Sequence, residues 1–476
     1  MSYAAAGHSL QDLLDRTPDL VGYFRNDTRA PHNRNRPGPS PVPAEVTNWR
    51  DEQRAWRETA VLFDQTHHMP EMFLEGPGAR ALLERVGINS LVGFGPGRAK
   101  QFIACNHEGF VIGECVLHCL GDQRFELISG MQLQNWVAYN AEVGGYDVTI
   151  TRDMPTAEIG QQRVNFRFGM DGPNAEKVFV AAVEGVAPDM PFFHTAMVRI
   201  AGVEVMALRH GMAGHKGVEL SGPFAQGERV RAALMAAGAE YRLTPAGRLA
   251  YFSTPSEGGW MAYPLPAVYT DPGLADFRRW LPDDGWEARA QLAGSLCAPL
   301  IADYYVTPWD MGVHRVMKFD HDFIGRTALE RMAQAPHRRK VTLVWNPDDV
   351  LRIQASFLQP GEAFKSIEVP VASYGFPQAD AVRDGSGGLI GRSGFAGYST
   401  NERAFLSLAT VNAEFAEPGT KVLLDWGEPD GGSRKPQVER HRQTTIRCTV
   451  APAPYAAAVR AMKKDTLTAR TTSAAH

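Results

Sequence analysis

Two adjacent histidines, His67 and His68, stand in the stretch FDQTHHMPEMFLEG, behind an Asp-Gln-Thr and ahead of a short alternating run. Imidazoles this close could hold a metal, handle a proton, or simply hydrogen-bond at the entrance to a strand. Beyond them Met69, Glu71, Phe73 and Glu75 would face one way and Pro70, Met72 and Leu74 the other, so the stretch reads as a turn feeding a strand. Neighbouring strand residues point to opposite faces, so both rings reach one small ligand only if the turn bends them together. A shared metal is therefore disfavoured. A second group, Cys105, His107, Cys115, His118 and Cys119, lacks the paired CxxC spacing of a zinc site. On a strand through GECVLHC, Cys115 and Cys119 share one face and His118 takes the other. Buried cysteines of a core sheet and no tightly bound metal are expected. Glu114 and His118 share the opposite face, open either to solvent or to a pocket.

These groups must be positioned by a chain of 476 residues, beyond the size at which one core keeps growing, so two or three domains are expected. Lys and Arg number 49 against 53 Asp and Glu, a net charge of −4, which speaks against nucleic acid or an anionic membrane as the main partner. Forty-six glycines and 32 prolines imply many turns, and mixed α/β or α+β is the default. An odd five cysteines fit a reducing cytoplasm better than a disulfide framework. No run of about 18 apolar residues could span a bilayer, and the first residues lack the pattern of a secretory signal.

The segment TRAPHNRNRPGPSPVPAEV is rich in Pro, Arg and Asn and reads as an irregular arm. After it, NWRDEQRAWRETAVLFD carries Trp49, Gln53, Trp56 and Ala60 at helical spacing and runs into a strand. GPGARALLERVG is a second helix, and KQFIACNHEGFVIGECVLHCLGDQRFELISG a meander with turns at Asn106–Gly109 and Gly121–Arg124. Helix returns in QLQNWVAYNAEVGG. Near RVNFRFGMDGPNAEKVFVAAVEG the strand, Gly-Pro turn and helix of PEMFLEGPGARALLERVG recur, as two half-domains from an internal duplication would show. From RRKVTLVWN onward, strands separated by DGSGG and GEPDGG suggest a small β-barrel. Strands and helices come in blocks, so the expected class is α+β with antiparallel sheets.

Taken together, VLFDQTHHM, RHGMAGHKGVELSGP, FDHDFIGRTALE and GRSGFAGYSTNERAFLSLATV resemble the folate-dependent aminomethyltransferase superfamily. NWR-EQ-AW-AVLFDQTHHM, supported by RRKVTLVWN and WGEPDGGSRKP, is similar more narrowly to the tetrahydrofolate-dependent O-demethylases of lignin-derived aromatic acids. The resemblance implies two ferredoxin-like halves around a central folate channel, closed by a C-terminal β-barrel. On the sequence the divisions fall at 1–45 for the arm, 46–150 and 151–335 for the halves, and 336–476 for the barrel. The implied reaction moves the methyl of a methoxy group, with syringate as first substrate and 3-O-methylgallate as product, to N5 of tetrahydrofolate. Vanillate or 3-O-methylgallate are close seconds as substrate, and the location is cytoplasmic. The oligomeric state is open.

An aryl methyl ether leaves as a phenolate, so the site must align methyl and nucleophile and supply a proton to the departing oxygen. A phenolic donor suits this, because its ordinary pKa of about 10 resembles that of the leaving phenol. By resemblance Tyr251, in PAGRLAYFSTPSEGGW, is that donor and His68 contacts the substrate oxygen, while His67 points away. Gln65, Glu219 and Trp260 would bind the folate: Glu219 as a carboxylate pairing with the pterin, Trp260 as a wall of the channel. Two departures are informative. Where vanillate enzymes carry an arginine for the substrate carboxylate, this chain reads FELISGMQ and offers Met131, which cannot pair with an anion but could pack on a second methoxy group. Arg25, with Tyr23 as a nearby wall, is the candidate replacement, against the alternative of a solvated loop arginine. And Gly113-Glu114 replaces the paired aspartates of glycine-cleavage enzymes, which argues against the alternative of aminomethyl or N-methyl transfer from a glycine derivative. A non-enzymatic folate-binding scaffold would carry a Lys-Gly-Cys-Tyr motif, which the chain lacks.

Overall fold

Along the strand Asn165–Asp171, Phe166, Phe168 and Met170 alternate with Arg167, Gly169 and Asp171, and that alternation decides how the first two-thirds of the chain are layered. In the computed structural model, which describes residues 7–28, 40–156, 163–213, 215–261, 264–375, 377–436 and 438–461, the apolar set faces helices and the polar set faces a second sheet. Much of the Pro- and Arg-rich arm, 29–39, lies outside the described residues, and 40–48 runs irregularly into the helix Trp49–Glu58.

The first sheet has five strands in the order Arg98–Cys105, Val111–Gly121, Arg124–Ser129, Glu71–Glu75 and Thr149–Asp153. The helices Ala79–Val86 and Met131–Val143 cover one face, burying Leu82, Leu83, Leu133 and Trp136 against Met72, Leu74, Leu117 and Phe125. Each such side chain stabilises by about 1.5–3 kcal/mol. The other face carries Glu71, Glu114, His118 and Glu126. The second sheet has six strands in the order Leu243–Ala246, Ala60–Asp64, Asn165–Asp171, Val218–Pro223, Val203–Leu208 and Thr195–Ile200. Ala175–Ala182 and Gly227–Gly238 cover its outer face with Val178, Phe179, Val230 and Leu234. Its inner face presents Arg167 and Glu219. The two polar faces meet where the Arg167 guanidinium reaches Glu71 and Glu126 of the opposite sheet, at 3.1 and 2.9 Å.

Not every pairing is antiparallel. Ala60–Asp64 runs parallel to Leu243–Ala246, so a strand from early in the chain is inserted into the sheet built from later strands. The segment from Gln65 to Pro70 therefore crosses from one sheet to the other. The C-terminal third closes into a six-stranded barrel, Arg339–Trp345, Ala404–Val411, Leu389–Ser399, Asp380–Arg383, Lys421–Trp426 and Thr444–Ala451, filled by Leu343, Trp345, Leu424, Trp426 and Ile446. Among the described residues no helix is long and apolar enough to cross a membrane.

Candidate active site

The helix Arg248–Gly258 is held at both ends by the helix Trp49–Glu58. At its start Gly247 N donates to Glu52 Oε2 (3.0 Å), while Arg248 N and Leu249 N donate to the carbonyls of Pro43 and Ala44. In its middle Gln53 Nε2 donates to Ser253 Oγ at 2.8 Å. Near its end the buried Glu257 carboxylate accepts from Trp56 Nε1 (3.1 Å), Arg57 Nη2 (2.8 Å) and Ser399 Oγ (2.6 Å), tying helix, neighbour and barrel together. Pro255 removes the N–H that would reach the Tyr251 carbonyl. Thr254 Oγ1 donates to that carbonyl instead, at 2.8 Å, so the turn carrying Tyr251 stays satisfied.

This clamped helix aims Tyr251 at the crossing segment. His68 Nε2 and the Tyr251 hydroxyl lie 3.2 Å apart, with ring centroids 5.0 Å apart and nearly perpendicular. Phe63 and Phe252 wall Tyr251 at 5.4 Å each. Burial pushes the His68 pKa down to about 4, helped by Arg163 and His67, so the imidazole is neutral at physiological pH. The turn sends the neighbouring ring elsewhere: His67 Nδ1 pairs with Thr156 Oγ1 at 2.8 Å. Burial pushes His67 down as well. The two histidines thus have separate tasks, and a narrow pocket opens beside them, lined also by Asp64, Arg248, Tyr251 and Phe252.

A second polar centre lies between the sheets. Glu219 sits on Val218–Pro223 opposite Gly169 and takes a 2.7 Å hydrogen bond from His210 Nδ1. Burial pushes its carboxyl up, but His210 and Arg167 outweigh burial and hold it below the usual range. Gln65 is buried on the other side of Gly169, and a Cβ added to that glycine would meet its amide at 3.3 Å. Both polar atoms of that amide, Nε2 and Oε1, lack a hydrogen-bond partner among the described residues. Two buried orphans of opposite sense, next to a glycine and a carboxylate, form a cradle suited to a flat group rich in N–H and ring nitrogens. His118 Nδ1 and Nε2 are likewise buried without a hydrogen-bond partner among the described residues, Nδ1 lying 4.0 Å from Glu126 Oε2, and burial pushes that ring's pKa down to about 3.

Trp260 follows the helix and donates through Nε1 to Glu114 Oε1 at 2.6 Å. Gln101 Nε2 donates to the other oxygen. Burial pushes the Glu114 carboxyl up despite these donors, so it is a held, enclosed group. On the same strand Cys115 and Cys119 face the apolar core, and burial raises both thiols. His107 turns away to Asp271 Oδ2 at 3.0 Å.

Three expected substrate contacts are placed differently. Arg25 does not reach the pocket. On the helix Leu20–Asn26 its Nη2 donates to Gly294 O (2.9 Å) and its Nη1 to Leu296 O (3.2 Å), so the guanidinium is buried joining that helix to the loop before the barrel. Tyr23, beside it, packs against Phe24 and the core of the five-stranded sheet. Met131 is buried at the first position of Met131–Val143 and is not among the residues lining the pocket. Sequence reasoning missed the helix Arg248–Gly258 that carries Tyr251. It also missed Arg167 and Glu257, whose partners are distant in sequence.

A model of the GCVT N-terminal domain matches residues 30–265. A syringate O-demethylase from Sphingobium sp. is 44% identical over 453 residues, covering 95% of this chain and 97% of that protein. A sesamin methylene transferase from Sinomonas sp. is 30% identical over 433 residues, 87% of this chain and 90% of its own. The crystal structure of the glycine cleavage system aminomethyltransferase T from Bartonella henselae superposes with a TM-score of 0.59 at 17% identity, covering 93% of this chain and 96% of that one, a likeness of fold.

Proposed function

Since the chain belongs to the aminomethyltransferase family, sharing 44% identity with a syringate O-demethylase along nearly its whole length, we propose that it is a tetrahydrofolate-dependent O-demethylase of methoxylated aromatic acids, with syringate as first substrate. The observation that carries this reading is the 3.2 Å pair of His68 Nε2 and Tyr251 hydroxyl beside a pocket. It offers a phenolic proton backed by a neutral imidazole, which a departing phenolate needs.

Tetrahydrofolate, when bound, supplies the nitrogen nucleophile that accepts the methyl. The cradle of Gln65, Gly169 and Glu219 fits its pterin: the Gln65 amide offers one donor and one acceptor, and the Glu219 carboxylate accepts from ring and amino N–H groups. His210 keeps that carboxylate ionised and oriented. Trp260, fixed by Glu114, walls the channel.

At the reacting ether, Tyr251 can give its proton to the substrate oxygen only if that hydroxyl is not spent on His68. His68 must then hold the tautomer in which Nε2–H donates to the Tyr251 oxygen. As the C–O bond breaks, the phenolic proton passes to the leaving oxygen, and the Nε2–H stabilises the tyrosinate left behind. Overall the exchange is proton-neutral, because the accepting nitrogen loses one hydrogen as the product phenol gains one.

Purified protein incubated with tetrahydrofolate and a panel of syringate, vanillate, 3-O-methylgallate and glycine should yield a phenol and 5-methyltetrahydrofolate from the methoxy acids. Turnover of glycine alone would overturn the reading. Glu219→Gln should weaken tetrahydrofolate binding about ten- to a hundredfold, the usual worth of a charge-assisted pair of about 1.5–3 kcal/mol. Calorimetric titration of the folded variant measures it, and an unchanged dissociation constant removes Glu219 from the cradle.

A further inference from the structure

On the strand Val111–Gly121, Cys115, Leu117 and Cys119 turn to the apolar core, so Glu114, Val116 and His118 turn to the space between the sheets. The carboxyl groups near His118 on that face have partners. Glu71 accepts from Arg167 and from Asn165 Nδ2 (3.1 Å), Glu126 from Arg167 (2.9 Å), and Glu114 from Trp260 and Gln101. His118 is different: the residue is 1% exposed, and neither ring nitrogen has a hydrogen-bond partner among the described residues. Glu126, opposite it on the neighbouring strand, does not supply one, since Nδ1 lies 4.0 Å from Oε2 and burial keeps the ring neutral. A buried donor and a buried acceptor left unmade are costly, and a group of this kind calls for something that completes it.

Across the gap the ring meets the cradle. Arg167, Glu219 and His210 are its electrostatic neighbours. Gln65, whose amide is also unpartnered among the described residues, stands beside Gly169, and Gly169 pairs with Glu219. Unpartnered polar atoms thus line both walls of one interlayer space, as a flat heterocycle slipped between the sheets requires. We propose that His118 is a further pterin-binding residue, hydrogen-bonding the folate ring system from the five-stranded sheet while Gln65 and Glu219 hold it from the six-stranded side. The assignment rests on the folate reading of the cradle and adds to it a contact from the opposite wall. A tetrahydropterin carries ring and amino N–H groups, a ring-nitrogen lone pair and a carbonyl oxygen, more than one amide and one carboxylate satisfy. A neutral imidazole offers one N–H and one lone pair, and its tautomer decides which nitrogen presents which. Because the ring stays neutral, it adds this contact without placing a second cation beside Arg167.

The test is calorimetric titration of tetrahydrofolate into wild type, His118→Phe and His118→Gln, with thermal unfolding of each protein in the absence of folate. His118→Phe keeps a planar ring and removes both polar atoms, so tetrahydrofolate should bind about tenfold more weakly, the usual worth of a hydrogen bond. The folate-free variant should unfold no lower than wild type, because the imidazole makes no hydrogen bond that the substitution could break. His118→Gln, which keeps a donor and an acceptor, should recover part of the affinity. An unchanged dissociation constant for His118→Phe, a loss that His118→Gln does not lessen, or a lower folate-free unfolding temperature in both variants, the mark of a structural strut, overturns the contact while leaving the demethylase reading intact. A wild type that binds no tetrahydrofolate overturns both. Should the larger ring keep His118→Phe from folding, His118→Leu takes its place under the same outcomes.

Discussion

Tyr251→Phe will keep folate and substrate dissociation constants near wild type while the single-turnover rate of methyl transfer falls by about a hundredfold or more, the usual worth of a general acid. The substitution removes one oxygen and leaves a ring already walled by Phe63 and Phe252, so packing should survive. The fixed helix argues the same way, since Glu52, Gln53 and Glu257 hold it without help from the hydroxyl. His68→Gln should behave differently. It loses a contact present before reaction and the donor that supports the tyrosinate, so the substrate constant should rise along with the fall in rate. Single-turnover measurement with saturating folate and syringate keeps product release from masking the chemistry. A wild-type rate for Tyr251→Phe in that assay would transfer the acid role to another group, with His68 first.

Local pattern carried much of this architecture. The spacing of Trp49, Gln53 and Trp56 marked a helix that exists as Trp49–Glu58, and the alternation in GECVLHC put Cys115 and Cys119 into the core with Glu114 and His118 on the other face. The barrel was visible in its turn residues. Tyr251 and His68 were named through resemblance, because nothing in either local sequence says that two residues 183 positions apart will share a hydrogen bond. Arg25 shows the same limit in reverse. Its type suits a carboxylate, but its donors are consumed by carbonyls 269 and 271 positions away, which no local pattern reveals. The parallel insertion of Ala60–Asp64 was hidden likewise, since its partner Leu243–Ala246 arrives only after the second half has been laid down.

The largest stability effect should come from Arg167→Met, expected to destabilise by about 3–5 kcal/mol, because it leaves buried Glu126 without its arginine partner and Glu71 with only the more distant Arg163, at 4.0 Å. The Arg167 side chain is 2% exposed, and it bonds the inner faces together: Glu71 and Glu126 both come from the other sheet. Burial already pushes the Glu126 pKa up to about 7 even though Arg167 pulls it down. Without the guanidinium that value moves higher still. A carboxyl whose folded pKa exceeds its unfolded one binds protons more tightly when folded, so stability falls as pH rises from the unfolded value of 4.5 through the folded one. In the variant this window extends further upward, and the loss relative to wild type should be smaller near about pH 6 than near about pH 8. Thermal unfolding of both proteins at the two pH values measures it. Adding Glu71→Gln and Glu126→Gln to Arg167→Met should return much of the stability, since it also removes the two buried carboxylates that the guanidinium had compensated. The same triple variant should still bind folate weakly, because Arg167 also helps hold Glu219 ionised. Recovery of stability without recovery of folate affinity would separate the two tasks of this arginine, joining the sheets and charging the cradle between them.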